Sequence, residues 1–275
     1  MPSLILPLVS TGNVPQLCVD LLLHSVSDEF EFLANVDSTY LHPFVGPLDH
    51  LAGQDSPVLY AKTPSKKYTT PMELFATRDK EVYVLQQRTP VIEGYLNNFV
   101  KTVLVPLVMK LEIDEIVILD SFGSLDEDLA VPSSISTRCG NPLSVGTINV
   151  SSISDMSNIF ESNLHLDTDT MQHVSKSLYN FAEDSLQREV STSQQIFKYT
   201  YHLLNSQITS LKEIKYCSLF VHEGDNSYDA QTLCQKLPEI VPNLPVISSF
   251  KPPISWTGVY GFNPAPTAFD EGLYM

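Results

Sequence analysis

One short run in this chain carries residue types suited to recognition rather than catalysis: Leu273, Tyr274 and Met275 at its carboxyl end. An apolar side chain, a tyrosine and a free carboxylate offer three contacts that can be read only at a terminus. Leu273 and Tyr274 can fill an apolar slot, the phenol can find a hydrogen-bond partner at the rim, and the terminal carboxylate can pair with a lysine. Asp270, Glu271 and Gly272 read as a flexible leash for them.

Two further runs fit small-molecule chemistry less well. Ser10-Thr11-Gly12-Asn13 follows an apolar strand and precedes a helix, so its N–H groups could cradle a phosphate. It holds a single glycine, however, and matches neither the dinucleotide nor the P-loop pattern; a structural turn with a cap is the favoured reading. Glu223-Gly224-Asp225-Asn226 sits at another strand-to-helix junction and could ring a ligand crevice, but a turn and helix cap explain it as well. The histidines His24, His42, His50, His165, His173, His202 and His222 show no metal-ligand spacing. No Gly-x-Ser-x-Gly elbow exists, and Asp126, Glu127 and Asp128 read as a solvated loop face. Cys18, Cys217 and Cys234 lie in apolar, regular segments and read as small core residues; Cys139 stands apart from them, and no Cys-x-x-Cys pair occurs. No cofactor, metal or catalytic residue is expected.

The composition narrows the class of partner. A net charge of −16, from 16 basic and 32 acidic residues, disfavours nucleic acid and anionic membrane surfaces. It suits a partner with basic patches, or solubility alone. The 43% hydrophobic share belongs to a folded globular chain, and no apolar stretch reaches the roughly 18–20 residues that span a bilayer. Met1 to Gly12 lacks a basic region and a cleavage site, so reduced cysteines in the cytoplasm or nucleus are expected.

The elements that must position these groups alternate. Leu4–Val9 reads as a buried strand, and Val14, Leu17, Cys18, Leu21 and Leu22 mark a helix ending near Val26. Phe30–Tyr60 reads as short extended pieces. Met72–Thr77 and Val82–Gln87 read as strands joined through Arg78-Asp79-Lys80. Glu93–Leu111 has helical periodicity with a kink at Pro106, and Ile116–Leu119 is a central strand. Residues 121–193 read as an irregular excursion with helices at Asp155–Phe160 and Thr170–Phe181. A helix over Gln194–Asn205, a strand over Ile214–Val221, and a helix from Asp225 or Ser227 to Leu237 or Val241 follow, before a proline-rich end with the single tryptophan, Trp256. This order predicts an α/β layered sandwich with a largely parallel central sheet, residues 1–269 forming one domain and 270–275 a docking tail.

Several segments together resemble the proteasome assembly chaperone 2 family in its fungal form. They are Leu6-Pro-Leu-Val-Ser-Thr-Gly-Asn-Val-Pro-Gln-Leu17 with Asp20-Leu-Leu-Leu23, Phe44-Val-Gly-Pro47, Gln86-Gln-Arg-Thr-Pro90, Tyr95-Leu-Asn-Asn-Phe99, Glu223-Gly-Asp-Asn226 and Pro253-Ile-Ser-Trp256. The resemblance implies a non-enzymatic chaperone that pairs with proteasome assembly chaperone 1. The pair would cap the α-ring of an immature core particle, promote assembly and block premature docking of regulators. It implies a fold distantly like nucleoside phosphorylases, and it places the docking motif on Leu273, Tyr274 and Met275. The fold analogy also raises an alternative, a phosphorylase-like enzyme with a phosphate cradle near Gly12 and a base pocket near Gly224.

Overall fold

A single 8-stranded sheet organises the chain in the computed structural model, which describes residues 2–54, 56–123, 143–150, 178–181, 190, 194–222 and 224–261. The strands are β1 (Ser3–Pro7), β2 (Phe30–Asn35), β3 (Met72–Thr77), β4 (Val82–Gln87), β5 (Glu115–Phe122), β6 (Leu143–Asn149), β7 (Asn180–Phe181) and β8 (Glu213–Phe220). Their spatial order is β2-β3-β4-β1-β5-β8-β6-β7. The centre, β4-β1-β5-β8, is parallel, with Ile5 opposite both Val84 and Val117 and Ile118 opposite Tyr216. Both flanks turn antiparallel: β3 against β4 and β2 on one side, β6 against β8 and β7 on the other. The expected parallel sheet is therefore its core, extended by antiparallel edges.

Successive side chains along each central strand enter opposite cores, because strand residues alternate faces. Leu4, Leu6, Ile116, Ile118, Ile214 and Tyr216 point into one. Ile5, Val117, Leu119, Cys217 and Leu219 point into the other. The first core is covered by α2 (Leu96–Phe99), α3 (Val105–Lys110) and α4 (Gln195–Asn205) through Phe99, Val108, Ile196 and Leu203. The second is covered by α1 (Val14–Ser25) and α5 (Ser227–Ile240), which pack on each other through faces bearing Leu17, Leu21, Leu233 and Leu237. The result is a three-layer arrangement.

The structure departs from the sequence reading in three places. The helix expected over Glu93–Leu111 starts at Leu96 and widens into a π turn over Val100–Leu104, just ahead of Pro106, which lacks the N–H that a regular ladder would use. The turn before α1 is structural, as expected, but Asn13 makes no side-chain cap; it stands in the left-handed region at φ 53°. The 121–193 stretch is not wholly an excursion. Leu143–Asn149 forms a strand that pairs with β8 from Glu213 to Leu219, and Asn180–Phe181, expected at a helix end, pairs with β6 instead. The helix expected at Asp155–Phe160, residues 170–177 of the one expected at Thr170–Phe181, and the acidic cluster Asp126–Asp128 lie outside the described residues.

Candidate functional site

Leu273, Tyr274 and Met275, the residues expected to dock, lie outside the described residues. What the structure does give is the path of the chain toward them. After α5, residues from Lys251 to Gly261 form a strap across the α1 face. The Lys251 N–H donates to Ser25 Oγ (2.9 Å) at the end of α1, and the Ile254 N–H donates to His50 O (2.8 Å). The Ser255 hydroxyl donates to the carboxylate of Asp49. Trp256, only 3% exposed, enters the second core, sets its ring edge-on to Tyr260, and aims Nε1 at Asp20 Oδ2 on α1 (3.5 Å).

The strap ends at Gly261, whose N–H donates to Asp225 Oδ2 (2.5 Å). Asp225 Oδ1 also accepts the Ser227 N–H (3.0 Å), so one carboxylate ties the first turn of α5 to the root of the tail. Asp225 thus makes a turn just ahead of α5, whereas the sequence allowed Asp225 or Ser227 as the cap; the cap position falls on Asn226, which makes no side-chain cap. Burial acts to raise the pKa of this acid, but the N–H groups of Ser227 and Gly261 outweigh it and hold the carboxyl below its usual range. Gly261 has φ 47°, and a Cβ there would stand 2.8 Å from Ser227 Cβ, so the close approach requires glycine.

The crevice at the carboxyl ends of β1, β5 and β8 is closed by its own side chains. Gly12 (φ 67°) has Asn226 lying over it: a Cβ on Gly12 would be 2.8 Å from Asn226 Cγ. Ser10 Oγ and Ser121 Oγ share a 2.9 Å hydrogen bond, and the Ser121 hydroxyl donates to Thr11 O (2.5 Å). A Cβ on Gly123 would come within 3.0 Å of Thr11 Cγ2. The place where a phosphate would sit is thus taken by the Asn226 carboxamide and a serine pair. The phosphorylase-like alternative finds no support in this geometry. Glu223 lies outside the described residues, and Gly224 serves a turn at φ 133°.

A group of titratable side chains also converges beneath the strap. Glu73 on β3 is fully buried; Oε2 accepts the Tyr60 hydroxyl (2.8 Å), while Oε1 accepts the Thr70 N–H (3.0 Å) and faces Lys66 Nζ at 2.7 Å. Arg88 Nη2 stands 3.9 Å from Oε2. On the same face Gln86 Nε2 donates to Asp20 Oδ1 (2.6 Å). Burial raises the pKa of Asp20, opposed by the positive charge of Arg88. Burial also raises the pKa of the Tyr60 phenol, with the Glu73 charge adding to it. Each group has a structural partner, so the cluster works as a set of pins between β3, β4, α1 and the strap rather than as an acid–base pair.

The cysteines described, Cys18, Cys217 and Cys234, are free and buried. Burial raises the pKa of the Cys18 thiol strongly, helped by the adjoining Cys234, and pushes Cys217 up to about 12, so all three fill core as expected. Cys139, His165 and His173 lie outside the described residues. Among the described residues no group of three His, Cys, Asp or Glu side chains could hold a metal, and no helix is long and apolar enough to cross a membrane. The sequence reading missed the strap. Its one signal was the lone Trp256 beyond the last helix.

Comparison with known proteins agrees with this architecture. The family model described as "PAC2 family" matches residues 4–241. Proteasome assembly chaperone 2 of Saccharomyces cerevisiae is 38% identical over 275 residues, covering 98% of each chain. Two solved structures share the fold at 10% identity and a TM-score of 0.52. One, of Pyrococcus furiosus PbaA, an archaeal homologue of proteasome-assembly chaperone, covers 90% of this chain and 79% of its own. The other, a Thermoplasma acidophilum protein of unknown function, covers 90% and 78%. A family match across both cores and both edges of the sheet, and a relative matched over nearly its whole length, place this chain in the PAC2 family.

Proposed function

We propose that this protein is a chaperone of proteasome assembly that acts by binding and not by catalysis. It pairs with proteasome assembly chaperone 1, and the pair covers the α-ring of immature core particles in the cytoplasm or nucleus, favouring assembly and keeping regulators off. The observation that carries this reading is the 38% identity over 98% of both chains with a relative named proteasome assembly chaperone 2. A carboxyl-end crevice closed by Asn226, Ser10 and Ser121 agrees with a protein that has no small-molecule substrate.

The tail is the docking element of this proposal. Leu273 and Tyr274 enter an apolar slot between two ring subunits, and the carboxylate of Met275 pairs with a lysine there. Burial of the larger side chain contributes about 1.5–3 kcal/mol, offset in part by ordering of the leash. A second tail on the partner would add avidity without new contacts at either pocket. The net charge of −16 favours a basic ring surface.

Affinity purification of the full chain tests the proposal. The expected co-isolates are one partner of similar size and α-type subunits. Deletion of Met275, or Tyr274→Ala, is expected to reduce retention of ring precursors while partner pairing survives. Equal recovery of ring precursors with both variants would remove the docking role of the tail.

A further inference from the structure

Resting on the tail-docking reading, we infer which side of the body meets the ring: the end of the sheet where the parallel strands finish, around Asp225, Tyr228 and Val259. Two independent features point there. The first is the path of the strap. It leaves Ser25 at the far end of α1, passes Asp20, and is tied down at Gly261 beside the first turn of α5, directly after β8. Leu273 lies 12 residues beyond that root. Twelve residues reach at most about 40 Å, whatever their conformation. Tethered docking requires the root to lie within that reach of the pocket.

The second feature is the distribution of exposed apolar side chains. Tyr228 is 73% exposed at the start of α5 and Val259 58% exposed two residues before the root. Val45 and Tyr68 are exposed at the same end. Their loops are clasped by paired backbone hydrogen bonds between Gly46 and Thr69, and the second loop runs directly into Met72, which lies opposite Gln87 at the carboxyl end of β4. Tyr95, 49% exposed, opens α2 just after that strand. The opposite end of the sheet presents Met109 and Val246. Exposed aromatic and branched side chains gathered at the end of the sheet that holds the closed, polar-pinned crevice fit a macromolecular surface and not a small ligand. The occupant assigned to it is the outer rim of the α-ring beside the pocket that takes the tail.

Photo-crosslinking on the full chain separates this from the tail reading. A benzoylphenylalanine is placed at Tyr228 in one variant and at Val246 in another, each bound to ring precursors with its partner present. Adducts to α-type subunits from position 228 and none from position 246 are the expected result. Ring adducts from position 246 alone, or adducts from position 228 only to the partner chaperone, would overturn the assigned face. The same variants lacking Met275 report on the tail by itself: retention lost on deletion with ring adducts from position 246 sinks the face and keeps the tail. Tyr228→Ser, an exposed change that leaves both cores intact, is expected to weaken ring retention about tenfold; unchanged retention would count against the surface.

Discussion

The side chain of Asn226 lies against the Cα of Gly12, joining the turn after β1 to the turn after β8 across the end of the sheet. Gly12→Ala would add a Cβ 2.8 Å from Asn226 Cγ at a backbone φ of 67°. The expected cost is about 1–3 kcal/mol, read by chemical denaturation. Asn226→Ala relieves the collision but not the backbone strain. The double variant should therefore lose less than the sum of the singles, and strict additivity would show that the two turns are not in contact.

Glu73 should be the least replaceable polar residue of the cluster under the strap. It is fully buried and holds Tyr60, Thr70 and Lys66 at once. Removing the carboxylate with Glu73→Ala leaves buried positive charge uncompensated and is expected to cost about 3–5 kcal/mol. Tyr60→Phe removes one hydrogen bond and should cost about 1 kcal/mol. Similar midpoints for both variants in a urea series would contradict the arrangement.

Acid should loosen the root of the tail before it unfolds the body. Asp225 has its carboxyl held below the usual range by N–H donors, so its contribution is complete above the unfolded-state value of about 3.9 and lost as pH falls through the lower folded value. Hydrogen exchange at the Gly261 amide should speed up over that interval beyond its intrinsic pH dependence. Asp225→Asn should raise exchange at neutral pH and flatten the response. A Gly261 amide that exchanges alike in both proteins would break the link.

Within the proposed docking, the phenol and the ring of Tyr274 should separate. Tyr274→Phe keeps the apolar body and is expected to weaken ring binding about fivefold, the worth of one hydrogen bond. Tyr274→Ala should weaken it by at least tenfold. Equal affinities for the two variants would mean that the hydroxyl carries the whole contact.

The central strands and α1, α4 and α5 were legible because their signals are local. Leu4 to Leu6 is an unbroken apolar run, and Ile196, Phe197, Tyr201 and Leu204 recur at helical spacing. Leu143–Asn149 was not legible: Leu143 and Val145 pack on one core while Ile148 enters the other, so the run shows no clean alternation. Gly146 interrupts the pattern, and that glycine is there because a Cβ would stand 2.7 Å from Tyr179 Cβ, a contact from 33 residues away. The candidate site divides in the same manner. The turn residues Gly12, Asp225 and Asn226 could be picked out by type, but their meeting at one end of the sheet depends on strand order. The strap depends on Trp256 finding Asp20, a pairing 236 residues apart that no window of sequence contains.

Trp256 also sets when this body can be completed during its synthesis. The apolar faces of α1 and the partly screened Asp20 wait for a residue that the ribosome adds after every strand of the sheet. A nascent chain halted short of it would keep a sticky, half-charged flank open to holdases and proteases. Translation thus yields a finished fold only in molecules whose synthesis has passed Trp256.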